Sequence, residues 1–182
     1  MISNKETYEK FCAEEQNLPI FMNNWWLDAV CGKNNWEVSI IENKHDIFAV
    51  YPYYLKHKRW IAMPLLTPYL GPYIKYPDKQ NYRNKLKYEK DTMNALIKQM
   101  PKFIYFNQRF PSFVQNWLPF YWRNFHQTTH YTYLLDLQKD INLIFNNQKN
   151  NLQRNIKNAQ NYLHVVDGAG EADVLYKLLA KN

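Results

Sequence analysis

Glycine is scarce in this chain, with four in 182 residues. Gly32 and Gly71 stand alone and Gly168 and Gly170 sit together, so neither a P-loop nor a dinucleotide-binding glycine fingerprint is present. Serine is as rare: Ser3, Ser39 and Ser112 are the full set, and none stands in a G-x-S-x-G elbow. The two cysteines, Cys12 and Cys31, have no metal-ligand spacing and make no disulfide framework. A reducing, cytoplasmic setting is the expectation. No apolar run approaches the ~20 residues of a membrane span. The start, Met1 to Glu6, has no apolar stretch behind a basic flank, so no signal peptide is expected. His126 and His130 lie four apart in a stretch of strand or loop character, without a third ligand, and are read as surface or structural histidines.

What is present is a globular composition with two biases. Hydrophobic residues make up 46% and charged residues 21%, which suits a soluble domain with a real core. Aromatics reach 17%, enough to build an aromatic core and to line a groove. The net charge of +7 favours anionic partners: nucleic acid, phosphates or an anionic membrane face.

Periodicity predicts helices over 5–16 and 24–31, the first broken by Pro19 and the second stopped by Gly32. Strands are expected at 36–41, 47–55 and 60–63, the first two joined by the polar turn Glu42-Asn43-Lys44-His45. A Pro-rich loop follows over 64–72. Then come a helix over 82–100, a strand at 103–107, an irregular stretch over 109–122, a strand at 128–137 and a short helix at 141–147. The order predicts an α/β fold: a mixed, mostly antiparallel sheet flanked by helices. The helix over 82–100 is expected to pack on one face of that sheet.

Three segments carry candidate chemistry. In Pro64 to Tyr73, three prolines stiffen the chain, Gly71 permits a sharp bend, and Thr67, Tyr69 and Tyr73 can line a cleft; the alternative is a crossover that covers a sheet end. The helix 151–160 sets Leu152, Ile156 and Ala159 on one face, with Arg154 and Lys157 neighbours on another; these cations either face phosphates or form a solvated face. A strand-like run over 163–166 leads to Asp167-Gly168-Ala169-Gly170. That turn before a helix from Glu171 offers backbone N–H groups to a phosphate, or is simply a tight turn.

Trp25-Trp26-Leu27-Asp28-Ala29-Val30, the Pro64–Pro72 loop and Arg154-x-Ile156-x-x-Ala159 occur in an order that resembles the FemAB/FemX-like branch of the GNAT acyltransferase superfamily, most of all its uncharacterised bacterial acetyltransferase-like members. The resemblance spans roughly residues 18 to 182. It implies a GNAT-like, acceptor-side domain over 1–149. Over 150–182 it implies a bridging helix and the first elements of a second GNAT-like half.

The implied activity is transfer of an acyl or aminoacyl group to an amine. The donor would be acyl-CoA or aminoacyl-tRNA, held by the other half, and the acceptor a small molecule or a cell-envelope precursor. The first half alone would be inactive or nearly so. By the same resemblance Lys33 falls where acceptor phosphates are held, and Arg154 and Lys157 fall at basic positions of the bridging helix that can also face phosphates; the three are expected to share one anion site with the 64–73 loop as its neighbouring wall. Asn107 falls where a carboxylate stands near the acceptor, and no catalytic residue is assigned. The alternative is a non-catalytic module for an anionic partner: RNA, a nucleotide-sugar or a phospholipid headgroup. Exposed tyrosines or tryptophans converging with basic residues on one open face would favour nucleic acid. Apolar Val174, Leu175, Leu178 and Leu179 are expected to make the helix after 171 a route to association.

Overall fold

The computed structural model describes residues 4–43, 46–165, 168–170 and 172–179. The chain divides between Thr128 and Thr129 into two compact units. The boundary expected at 149/150 lies inside the second unit.

The first unit is built on a five-stranded sheet. Helices α1 (Asn4–Glu14) and α2 (Asn24–Cys31) precede strands β1 (Trp36–Glu42), β2 (Ile47–His57), β3 (Trp60–Ala62) and β4 (Tyr73–Ile74). Helix α3 (Tyr82–Gln99), strand β5 (Tyr105–Phe106) and the short helix α4 (Leu118–Tyr121) complete it. β2 is the central strand: it pairs antiparallel with β1 on one edge and with β3 and β4 on the other. β5 adds to β3 in parallel. The sheet is thus mixed, mostly antiparallel and open, as the strand order predicts.

Alternation along the strands explains the layers. Trp36, Val38, Ile40 and Val50 face one side and pack with Tyr8, Phe11, Met22 and Leu27 of the N-terminal helical segments. Ala49, Tyr51, Tyr53 and Ile61 face the other side, against Met93, Leu96 and Ile97 of α3 and Phe120 of α4. Polar anchors hold the edges. The Gln99 amide accepts from Ile40 N at 3.0 Å and donates to Ile40 O at 2.8 Å, which satisfies the open edge of β1. The Trp36 indole donates to Asp28 Oδ1 at 2.8 Å.

Pro52 lies inside the central strand, opposite Val38. Leu55 N donates to Asn35 O on the β1 side. By alternation the even-numbered residues of β2 therefore turn their backbone to the other edge. There β4 pairs at 49–50 and β3 from 54 onward, so Pro52 falls in the gap, where a missing N–H removes no ladder bond.

The second unit holds α5 (Ile141–Asn146), α6 (Asn150–Gln160), a 3-10 turn at Gly168–Gly170 and α7 (Ala172–Leu179). Asp140 caps α5 by accepting from Asn142 N at 2.7 Å. The Gln153 amide ties α6 to the preceding turn by donating to Asn146 O and Gln148 O.

The strand expected at 128–137 does not form. The segment is irregular and lies on the surface, with Tyr131 93% and Tyr133 100% exposed. Its alternation of aromatic and small residues meets no partner strand, and an unpaired strand has no ladder to stabilise it. For the same reason residues 163–165 are not a strand. β5 shrinks to two residues, and β4, too short to show a period between Pro72 and Pro77, was not foreseen. The end of the expected hairpin turn (Lys44, His45) and Val166, Asp167 and Glu171 lie outside the described residues. So do the side chains of Leu175, Leu178 and Leu179.

Candidate functional site

The end of the sheet where β2 turns into β3 gathers cations and rings. A two-residue turn, Lys58-Arg59, joins the strands, and a bulge at Lys56 precedes it, since Leu55 pairs with Ile61 but His57 with Trp60. Lys56, His57, Lys58 and Arg59 are all exposed. The parallel pairing of β3 with β5 sets Trp60 beside Tyr105. Their ring centroids lie 5.2 Å apart and tilted, and the His57 ring stands edge-on to Trp60 at 5.3 Å.

The result is a ladder of rings across β2, β3 and β5, with Trp60 39% and Tyr105 43% exposed. The next residues along, Ile61 and Phe106, turn to the opposite face and enter the α3–α4 core. The platform is therefore fixed by buried neighbours. β5 is locked at both ends, by Ile104 N donating to Arg59 O at 3.0 Å and Asn107 N donating to Ile61 O at 2.9 Å. None of Lys56, Lys58, Arg59 and Lys102 makes an ion pair among the described residues.

The candidate residues from the sequence lie on different elements. Lys33 is exposed just past α2, and its carbonyl accepts from the Lys5 ammonium. Gly32 turns the chain there with φ of 79°, a conformation a side chain would strain. Two residues on, Asn35 O accepts from Leu55 N, so Lys33 belongs to the same end of the sheet as the basic turn.

Thr67 is buried, with its hydroxyl accepting from the Trp26 indole at 3.0 Å and donating to Leu65 O at 3.0 Å. Tyr69 packs edge-on against Phe21 at 5.2 Å. The loop crosses close over its neighbour at Gly71, where a Cβ would stand 2.9 Å from the Phe110 ring. Tyr73 sits on β4 between Phe11 and Phe113, and burial, then the neighbouring Glu15, pushes its hydroxyl up to about 12. Trp26, which Thr67 engages, stands in the first turn of α2 and Lys33 lies just past its last, so Lys33 and the Thr67 contact flank opposite ends of that helix. Arg154 and Lys157 are exposed on α6 in the second unit, where the Lys157 ammonium lies 5.6 Å above the Phe145 ring. Asn107 donates to the Tyr105 hydroxyl at 3.2 Å, beside the ring ladder.

Sequence reasoning missed the ladder and the Lys56–Arg59 turn. The signal was charge asymmetry: no Asp or Glu occurs between Asp46 and Asp78 or between Asp91 and Asp136, the two stretches that supply β3 and β5. It also missed Glu89, a buried carboxylate on α3 facing a small cleft. Glu89 shares the buried stripe of α3 with Met93, Leu96 and Ile97, an unusual place for an acid. Among the described residues no group of three or more metal-ligating side chains occurs. No helix is long and apolar enough to cross a membrane among those residues. Searches of protein-family models, curated proteins and solved structures find no match to this chain.

Proposed function

We propose that this domain binds single-stranded nucleic acid, RNA in the first place, across the open end of its sheet. The observation that carries the reading is the His57–Trp60–Tyr105 ladder with the exposed Lys56, Lys58 and Arg59 at the turn that carries it. Exposed rings offer stacking faces to successive bases, and unpaired cations meet the phosphates between them. Among the anionic partners open to a +7 chain, a phospholipid headgroup has no use for stacking rings. A nucleotide-sugar is held best in an enclosed pocket, and this face is open. Lys33, at the same end of the sheet, extends the basic surface.

The test is fluorescence anisotropy with a labelled ten-nucleotide uridine oligomer over a salt series. Four phosphate contacts give a slope of log K against log salt of about −3 for a single strand. Replacing Lys58 and Arg59 by Ala is expected to remove about half of that slope. Trp60→Ala is expected to weaken binding about tenfold at every salt concentration, as one lost stacking contact. Equal affinity in all variants contradicts the assignment.

A second reading keeps the acyltransferase resemblance. The domain would be the acceptor-side, GNAT-like half of a FemAB-like protein working in a reducing cytoplasm. The observation in its favour is Asn107, which the resemblance places near the acceptor and which lies on the ladder beside Tyr105. In that reading Lys33, Arg154 and Lys157 hold acceptor phosphates. Transfer of a radiolabelled aminoacyl group to an amine by a longer protein containing this chain, abolished with the ladder variants, would support it. RNA binding without transfer would leave the first reading alone.

A further inference from the structure

Glu89 sits on α3 and is only 9% exposed. Its two carboxylate oxygens are held apart by different donors: the Tyr76 hydroxyl reaches Oε1 at 2.9 Å, and the Asn116 amide reaches Oε2 at 3.2 Å. Both partners are neutral. No ion pair with Glu89 occurs among the described residues, and the nearby Lys85 ammonium lies over the Tyr76 ring at 4.6 Å instead. Burying a carboxylate without a cation is costly, and neutral hydrogen bonds offset only part of that cost. A carboxylate has about four acceptor positions, so the two bonds leave room for further donors.

Glu89 lines a cavity of about 20 Å³ together with Tyr76, Met93, Phe113, Val114 and Asn116. That is the space of one water-sized group. Tyr76 and Phe113, both about half exposed, line the cavity toward solvent. A small charged head with N–H donors fits against the carboxylate, and an apolar stem fits along Met93, Phe113 and Val114. The shape is wrong for a hydrated divalent ion, which needs several oxygen ligands, whereas a single carboxylate is present here.

We propose that the Glu89 cleft is a binding site for a primary alkylammonium group, with Glu89 as its counter-ion, Tyr76 and Asn116 fixing the carboxylate and Phe113 covering the stem. The site is separate from the basic ring ladder and opposite to it in charge. It goes beyond the nucleic-acid reading and does not depend on it.

The probe is n-butylammonium chloride, titrated into the full chain while the Met93 methyl and Phe113 amide resonances are followed by NMR. Saturable shifts at both residues are expected. Butanol, which has the stem without the charge, and sodium chloride, which has the charge without the N–H donors, should leave them unchanged. Glu89→Gln keeps the shape and removes the charge, and should raise the dissociation constant at least tenfold. Should that variant fail to fold, Tyr76→Phe removes one hydroxyl from a half-exposed side chain and should raise it several-fold. No saturable shift, an equal response to butanol or sodium, or equal affinity in the variants overturns the proposal. Oligomer binding measured on Glu89→Gln separates the two sites: it should stay at the parental value, and loss of both together would show a single linked site and contradict the separation proposed here.

Discussion

The two units treat apolar residues in opposite ways. In the first, Tyr8, Leu27, Tyr51, Ile61 and Leu96 are fully buried between the sheet and its helices. In the second, Tyr131, Tyr133, Leu134, Leu137 and Ile141 are each more than three-quarters exposed, and neither α5 nor α6 buries a residue. Both have helices with apolar faces. Among the described residues only the first has a sheet for those faces to close on. An amphipathic pattern proposes an element, but the element is stabilised only when a second surface removes its apolar face from water.

The sharpest way to break this comparison is to delete a leucine from each unit. Leu96→Ala leaves a cavity in the α3–sheet core and should lower stability by about 2–5 kcal/mol in urea denaturation. Leu134→Ala removes a side chain that is already 86% exposed and should change it by less than about 0.5 kcal/mol. Comparable losses would mean that the second unit has a core of its own that the exposures do not show.

Thiol chemistry sharpens the contrast. Burial, and then the charge of Asp28, pushes Cys31 up to about 12, and the side chain is 7% exposed. A cysteine placed at Leu134 should react with a disulfide reagent at pH 8 about a hundredfold faster than Cys31, because the thiolate is the reacting form. Cys12, also pushed up by burial, should react slowly too. Equal rates at the two sites would contradict the burial contrast.

A smaller effect concerns how the first unit is tied at its edge. Lys75 bridges Glu15 at 3.0 Å and Asp46 at 3.6 Å, with its ammonium 4.9 Å above the Phe11 ring. Burial works against the charge on Glu15, but Lys75, the Asn17 N–H and the Tyr73 hydroxyl outweigh it and hold the carboxyl below its ordinary range. Burial also disfavours the Lys75 charge, and Glu15 and Asp46 outweigh it, so Lys75 is held above its ordinary range. The Glu15 contribution is therefore present above its unfolded pKa of about 4 and lost as pH falls through the lower folded value. The Lys75 contribution is present below about 10.4 and lost as pH rises through its higher folded value. Lys75→Ala should cost about 1 kcal/mol at neutral pH and flatten both arms of the stability profile. Unchanged arms would remove the bridge from the account.

The sequence was most legible where local chemistry and tertiary packing agree. Helix α2 spans Asn24–Cys31 as expected, and α3 ends one residue short of the expected Met100. The β1–β2 pairing was visible from two β-rich runs separated by a short polar segment. The segment 128–137 failed because its pattern, read without a partner, is indistinguishable from that of a paired strand. The Pro64–Tyr73 loop left two readings open, the wall of a cleft or a crossover covering a sheet end. The Thr67 hydroxyl is committed to Trp26 and Leu65, a use that no local pattern reveals. The ring ladder needed the β3–β5 pairing, between residues 45 apart in sequence, before Trp60 and Tyr105 could be seen together.

The most direct measurement of the central claim is photocrosslinking to an oligomer of 5-bromouridine, followed by mass spectrometry of the adducts. Crosslinks confined to the peptides containing Trp60 and Tyr105, and lost in Trp60→Ala, are the predicted result. Crosslinks spread over the exposed tyrosines of the second unit, Tyr131, Tyr133 and Tyr162, with none at Trp60 or Tyr105, would contradict it.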